Sequence, residues 1–109
     1  MSIAENEGGD LRPLVDIDRI IHEPARLLIL AHLYVVESAD FLFLMGQTGL
    51  TQGNLSSHMN KLEKAGYVDV VKQFVGRRPH TMLRLTDEGR EAFRNYRERM
   101  KQVLDSLPD

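Results

Sequence analysis

The feature of this sequence that most constrains its fold is a helical segment that leads directly into a short β-hairpin. Residues 51–65 place Leu55, Met59 and Leu62 on one side of a helix that turns by about 100° per residue. Gly66 is a suitable end for this helix because glycine adopts a positive φ without steric cost. A hairpin that follows a helix so closely excludes a simple helical bundle, so the flanking elements decide the fold class.

The hairpin is predicted from two short stretches of β-forming residues on either side of a turn. In "GYVDVVKQ", Val68 and Val70 flank a polar residue, and "MLRLT" supplies the returning strand. The connection "FVGRRPHT", Phe74–Thr81, contains Gly76 and Pro79, which suit a tight turn. It also carries two adjacent arginines, which a turn of this kind does not need for folding.

Two helices are expected near the start of the chain. Apolar side chains in residues 14–21 recur at helical spacing, which predicts a short first helix. The stretch "EPARLLILAHLYVVE", residues 23–37, predicts the next helix, with Pro24 in the first turn, where a missing N–H costs no hydrogen bond. Its apolar residues cover much of the helix circumference, so we expect this helix at the centre of the core.

Two further helices are marked by their capping residues. Asp40 is a suitable N-cap for a helix over Phe41–Gln47, which Gly49 can end. Thr86 is a suitable N-cap for a long last helix over residues 87–107. The expected fold is therefore mainly α with a small β-hairpin: a winged helix-turn-helix of three core helices, a wing at about 67–86 and a long C-terminal helix.

Composition excludes several classes of function. The sequence has no cysteine, which rules out disulfides and thiolate metal sites. It has no phosphate-binding loop, nucleophile elbow or metal-binding motif, so we expect neither an enzyme nor a cofactor. The acidic start "MSIAENEGGD" lacks the apolar core of a signal peptide, and no apolar run reaches the roughly 18 residues of a membrane span. We expect a soluble cytoplasmic protein with a flexible tail over residues 1–13 and one domain over 14–109.

Charge is distributed unevenly along the chain. Residues 1–50 hold three arginines against eight acidic residues, a net charge of −5. Residues 51–104 hold eleven lysines and arginines against six acidic residues, a net charge of +5. A basic half of this kind either binds a polyanion or is a solvated surface, and the position of the cations distinguishes the two.

The helix predicted at 51–65 has an outward face that is small, polar and basic. Ser57, Asn60, Lys61 and Lys64 lie opposite the apolar side, and Glu63 lies towards the flank. A helix that faces only solvent normally mixes acidic and basic residues at i, i+4 spacing. The face therefore favours contact with an anionic partner.

The segment from "DFLFLMGQTGLTQGNLSSHMNKLEKAGYV" to "FVGRRPHTMLRLTDEGREAF" resembles the small winged-helix transcriptional regulators related to the MarR and ArsR groups. The resemblance covers roughly residues 20–95. It implies a DNA-binding regulator, usually a homodimer, with Thr51–Ala65 as the recognition helix and Phe74–Thr81 as the wing tip. It does not identify the regulated genes or an effector.

Candidate DNA-binding residues follow from this layout. Arginine suits the narrow, negative minor groove beside a recognition helix, so Arg77 and Arg78 are expected there. Asparagine, glutamine and serine can bond base edges, and lysine more often binds phosphate. The full set of candidates is Thr51, Gln52, Asn54, Ser56, Ser57, Asn60, Lys61, Lys64, Lys72, Arg77 and Arg78.

The last helix carries an apolar stripe that is longer than a compact winged helix can cover. Either two copies pack these helices together in a homodimer, which we expect, or the helix folds back over its own domain. The candidate dimerisation residues are Phe93, Tyr96, Met100, Val103, Leu104 and Leu107.

The histidines and methionines have simpler explanations than a metal site. His58 lies on the flank of its helix, so we expect a partly buried, hydrogen-bonded side chain rather than a metal ligand. The methionines fit as core residues. The favoured function is a sequence-specific DNA-binding regulator, expected to be a repressor. The alternative is a winged-helix module that binds another protein and not DNA.

Overall fold

The computed structural model describes residues 9–109, so residues 1–8 of the predicted N-terminal tail lie outside the described part. A short 3-10 helix covers Arg12–Leu14. The helices are α1, Pro24–Val36; α2, Phe41–Thr48; α3, Gln52–Lys64; and α4, Asp87–Ser106. The strands are β1, Ser38–Asp40; β2, Val68–Val75; and β3, Arg78–Leu85.

The three N-cap residues that the sequence predicted form capping hydrogen bonds at the starts of their helices. The Asp40 carboxylate accepts a 2.7 Å hydrogen bond from the N–H of Leu42 at the start of α2. The Thr51 hydroxyl accepts at 3.2 Å from the N–H of Asn54, and the Thr86 hydroxyl accepts at 2.9 Å from the N–H of Gly89. Each cap satisfies an N–H group that has no partner within its own helix.

The sheet contains the predicted hairpin and one additional strand. β2 and β3 pair antiparallel from Val68 opposite Leu85 to Val75 opposite Arg78, which leaves a two-residue turn whose first residue, Gly76, has φ of 65°. β1 pairs with the other edge of β3, giving the order β1-β3-β2. The sequence analysis missed β1 because three residues are too few to show a period, and the strand depends on β3 beside it.

The core lies between the first three helices and the inner face of the sheet, as the sequence predicted for a winged helix. Each helix contributes fully buried residues, and Val68 and Leu83 contribute from the sheet. The fully buried helical side chains are Ile29, Leu30, Leu33, Leu44, Leu55 and Leu62. The fold class is therefore confirmed.

The prediction of a short helix over residues 14–21 is wrong. Only the 3-10 helix and a series of turns occupy this region. The Asp18 carboxylate accepts hydrogen bonds from the N–H groups of Ile20 and Ile21, at 2.9 and 3.2 Å, so the side chain competes with a helical backbone. Arg26 also takes the carbonyl of Ile20, at 2.6 Å from its Nε. The apolar spacing does predict a core contact, because Ile21 is fully buried. The backbone is nevertheless fixed by hydrogen bonds to the side chains of Asp18 and Arg26.

Helix α4 packs along its own domain for part of its length. The ring of Phe93 lies 5.1 Å from that of Tyr34, and the Tyr96 hydroxyl is hydrogen-bonded to His22 at 2.9 Å. Gly89 lets the start of α4 approach the turn between α3 and β2, since a Cβ there would lie 2.1 Å from the carbonyl oxygen of Tyr67. None of the described helices is long and apolar enough to cross a membrane.

Candidate nucleic-acid interface

The outward side of α3 has the composition that the sequence predicted. Leu55 and Leu62 anchor the helix in the core, which turns the opposite side to solvent. Ser56 is half-buried, whereas the other candidates on this helix and its cap are exposed: Thr51, Gln52, Asn54, Ser57, Asn60, Lys61 and Lys64. The Thr51 hydroxyl accepts the capping hydrogen bond, which leaves its O–H group free to donate to a ligand.

The orientation of α3 is fixed by a buried arginine that sequence analysis did not single out. Arg26, on α1, is only 9% exposed, and its guanidinium lies 3.1 Å from Nδ1 of His58 on α3. A guanidinium can only donate, so Nδ1 of His58 accepts and the ring carries its proton on Nε2. His58 is thus the half-buried, hydrogen-bonded residue that the sequence predicted. No local pattern identifies its partner, which lies 32 residues away in the chain.

Glu23 completes this contact between α1 and α3. Its carboxylate accepts a 2.8 Å hydrogen bond from the N–H of Arg26 and lies 3.7 Å from Nδ1 of His58. Partial burial opposes its ionisation, but the backbone N–H groups of Arg26 and Ala25 and the nearby positive charge outweigh burial and lower the pKa of Glu23. The ionised carboxylate therefore caps the start of α1 and lies beside Arg26, the residue that contacts His58.

The distal wing is exposed on both strands. Residues 71–79 are all exposed, and they include Lys72, Arg77 and Arg78. Arg77 is the second residue of the two-residue turn, and Arg78 begins β3 opposite Val75. The turn therefore presents the two arginines at the tip of the hairpin, the position that the sequence predicted for them.

The base of the wing is joined to the start of α2. Nδ1 of His80 lies 2.7 Å from one carboxylate oxygen of Asp40, and the other oxygen caps α2. The hydrogen bond from His80, opposed by burial and assisted by the backbone N–H groups of Leu42 and Phe43, lowers the pKa of Asp40. One carboxylate thus fixes both a helix of the core and the strand that follows the wing arginines.

Most other cations have a carboxylate partner, which the candidate cations of α3 and the distal wing lack; among the described residues, Arg19 and Arg99 are the exceptions. Arg84, Arg90, Arg94, Arg97 and Lys101 each lie within ion-pair distance of a carboxylate. Among the described residues, no carboxylate pairs with any of the candidate cations Lys61, Lys64, Lys72, Arg77 and Arg78. Asp69 at the wing base is itself paired, at 3.0 Å from Arg84. Positive charge on this surface is therefore not neutralised within the described part of the chain.

The candidate dimerisation residues fall into two groups. Tyr96 and Val103 are 7% and 3% exposed, so the same chain already covers them. Leu104 and Leu107 are 59% and 44% exposed, while Phe93 and Met100 are half-buried. An open apolar cavity of about 610 Å³ lies along this part of α4, with Leu27 of α1 in its wall.

Within residues 9–109, no group of three histidine or acidic side chains is arranged to hold a metal ion.

Comparison with known proteins gives consistent matches over most of the chain. A family model described as a winged helix DNA-binding domain matches residues 25–104. The uncharacterized protein MJ0432 of Methanocaldococcus jannaschii is 40% identical over 89 residues, which cover 82% of this chain and 97% of that protein.

Solved structures agree with the sequence matches. A transcriptional regulator homologue from Pyrococcus horikoshii OT3 is 33% identical, with a TM-score of 0.82 over 87% of this chain and 96% of that one. The YusO protein from Bacillus subtilis is 21% identical, with a TM-score of 0.72 over 87% of this chain and 64% of that one, and this likeness shows the fold alone.

Proposed function

The chain belongs to the winged helix DNA-binding domain family and is related to MarR-type transcriptional regulators, and from this premise we propose that it is a homodimeric, sequence-specific repressor. It would act on double-stranded DNA in the cytoplasm and would catalyse no reaction. The single observation that carries the proposal is that the candidate cations of α3 and the distal wing have no carboxylate partners among the described residues: Lys61, Lys64, Lys72, Arg77 and Arg78. A phosphate backbone supplies the anions that this part of the chain does not.

In this proposal α3 lies in the major groove. Asn54 and Asn60 are exposed amides, and an amide can both donate to and accept from the edge of an adenine. Lys61 and Lys64 lie in the last turns of the helix, where we expect them to bind phosphate and set the register of the helix on DNA. The contact of His58 with Arg26 keeps the helix from rotating about its axis, which preserves that register.

The wing is proposed to reach the adjacent minor groove. Its two strands end in a two-residue turn, so the arginine side chains, rather than the hairpin itself, enter a groove about 6 Å wide. Arg77 and Arg78 then bring two guanidinium groups to the most negative part of the groove, which is strongest in A·T-rich DNA.

Two copies are proposed to associate through the C-terminal half of α4. Leu104 and Leu107 are the exposed apolar side chains there, and the neighbouring cavity offers an apolar surface for the partner helix. Tyr96 and Val103 would support the helix from within its own domain rather than contact the partner. A two-fold dimer would place two recognition helices on half-sites about 34 Å apart along the DNA.

The proposal is tested by a duplex selected with the wild-type protein from a random pool and then titrated at several salt concentrations. We expect Arg77→Ala with Arg78→Ala to lower affinity and to reduce the slope of log K against log salt by roughly 0.9 for each phosphate that the variant no longer neutralises. The matched control is Arg94→Ala with Arg97→Ala, which removes the same charge from α4, where both arginines have carboxylate partners. Sedimentation confirms that the control keeps the oligomeric state.

Equal reductions of affinity in the wing variant and the control would contradict the proposal, because net charge alone would then explain binding. The competing function is a winged-helix module that binds a protein. Recovery of a stable protein partner, together with no duplex binding at low salt, would favour that function.

A further inference from the structure

The wing carries an exposed aromatic side chain between its cations. Phe74, on β2, is 74% exposed, between Lys72 and Arg77 in the chain. We propose that Phe74 is a DNA-contact residue whose ring packs against deoxyribose in the wall of the minor groove, an inference that rests on the proposed function. It adds an aromatic contact to the cations and polar groups that are proposed to bind DNA.

Strand register places Phe74 on the side of the wing that the recognition helix occupies. Alternate residues of a strand share a face, so Phe74 lies on the same face as Val68 and Val70. Val68 is buried against the helices, which makes this the inner face of the sheet. Val75 lies on the opposite face, although it is 61% exposed and adjacent in sequence.

The distance from the tip decides which part of DNA the ring meets. Phe74 precedes Gly76 by two residues, or roughly 7 Å at about 3.3 Å per strand residue. The minor groove is about 6 Å wide, too narrow for two paired strands with their side chains, so the tip lies at the mouth of the groove and only the arginine side chains enter it. Phe74 then lies beside the sugar–phosphate edge of the groove. The side chain there faces sugars rather than stacked bases. The contact is therefore apolar packing against C–H groups and not insertion between base pairs.

Charge around the ring favours DNA over an apolar protein surface. Residues 70–83 contain no acidic side chain, whereas Lys72, Arg77 and Arg78 all lie within them. An apolar protein surface that covered Phe74 would also desolvate these cations without supplying counter-charges, which is costly. A groove wall alternates sugars with phosphates, so it offers the ring an apolar contact and the cations their counter-charges.

The test compares salt titrations of wild type, Phe74→Ala, Val75→Ala and Arg77→Ala on the same selected duplex. Removing an apolar contact lowers affinity by about the same factor at every salt concentration, and for one aromatic ring we expect roughly tenfold. The salt slope of Phe74→Ala should equal that of wild type, whereas Arg77→Ala should lower it. Val75→Ala is the matched control and should stay within about twofold of wild type, since its side chain points away from the groove.

Hydroxyl-radical footprinting gives an independent measurement, because it reports the exposure of individual deoxyriboses. We expect Phe74→Ala to reduce protection only at the sugars beside the wing. Unchanged affinity, a changed salt slope or an unchanged footprint in Phe74→Ala would each overturn the inference. If Phe74→Ala gave any of these results while the wild-type protein bound the duplex normally, the proposed function would stand and only the inference about Phe74 would be wrong. Absence of any salt-dependent duplex binding by the wild-type protein would refute the proposed function itself.

Discussion

Helix α4 and the surface formed by α3 and the wing both contain many cations, but they use them differently. On α4, Arg94 pairs with Glu91 at 2.9 Å, and Lys101 pairs with Asp105 one helical turn away. On α3, Lys61 and Lys64 have no such partner among the described residues. Four of the five basic residues of α4, all but Arg99, therefore have a carboxylate partner, whereas neither lysine of α3 has one among the described residues.

Sequence spacing explains the pairing on α4. Oppositely charged residues three or four positions apart are neighbours on a helix and stabilise it by about 0.2–0.5 kcal/mol per pair. Exposed pairs of this size add little stability, but they neutralise charge that would otherwise attract anions. The outward face of α3 has serine and asparagine at those positions, so its lysines keep their charge for a partner.

The largest effect is expected from changing the exposed apolar side of α4. Leu104→Asp with Leu107→Asp places charge on the surface proposed to join two copies, without disturbing buried residues. We expect a folded monomer by circular dichroism and sedimentation. Because two linked half-site contacts exceed one by a factor on the order of 10²–10⁴, duplex affinity should fall by about that range. A variant that remains a dimer with normal affinity would show that this end of α4 is not the interface.

A second prediction concerns a variant in which α3 carries acidic–basic pairs like those of α4. Ser57→Glu with Asn60→Glu places a carboxylate four residues before Lys61 and before Lys64, on exposed positions. We expect duplex affinity to fall by on the order of 100-fold, because both lysines are neutralised and the new carboxylates repel phosphate. Thermal stability should be unchanged or slightly higher.

The matched control for this prediction adds the same two carboxylates to α4. Asn95→Glu with Gln102→Glu changes exposed residues of that helix and the same net charge. We expect only a small decrease in affinity. If affinity fell equally in the two double variants, the difference between the two surfaces would have no functional meaning.

The smallest effect is expected at the base of the wing. Asp40→Ala removes a helix cap and the contact with His80, so we expect unfolding to become easier by about 1–2 kcal/mol. His80→Ala keeps the cap, and it should therefore cost less than Asp40→Ala in urea denaturation. Equal costs would mean that the cap contributes nothing.

The same carboxylate gives a pH dependence with a defined sign. The folded state lowers the pKa of Asp40, so its stabilising contribution is present above the unfolded pKa and is lost as pH falls through the folded pKa. Wild type should thus lose stability on the acid side of the carboxylate range more steeply than Asp40→Ala does. Parallel pH profiles of the two proteins would contradict this contribution.

Local patterns in the sequence predicted most of the helices and the hairpin correctly. Asp40, Thr51 and Thr86 cap their helices as expected, because a cap needs only residues two or three positions away. The prediction failed for residues 14–21, where Asp18 and Arg26 take backbone groups that a helix would use. It also missed β1, whose pairing with β3 spans more than 40 residues of the chain.

The candidate site was predicted in part for the same reason. The exposed polar face of α3 follows from helical periodicity, and the position of Arg77 and Arg78 follows from the turn. Tyr96 and Val103 are covered by their own chain because of the way α4 packs. The spacing of the apolar stripe does not specify that packing.

Local sequence patterns specified the four α-helices, the turn of the wing and the residues that face away from the core, since these depend on neighbours within about one turn or one strand. The contact of Arg26 with His58, the contact of His80 with Asp40 and the pairing of cations with carboxylates emerged from the packed fold. These contacts join residues 32 and 40 positions apart in the first two cases. They form because packing of the core closes the intervening loops, and no short-range pattern encodes that closure.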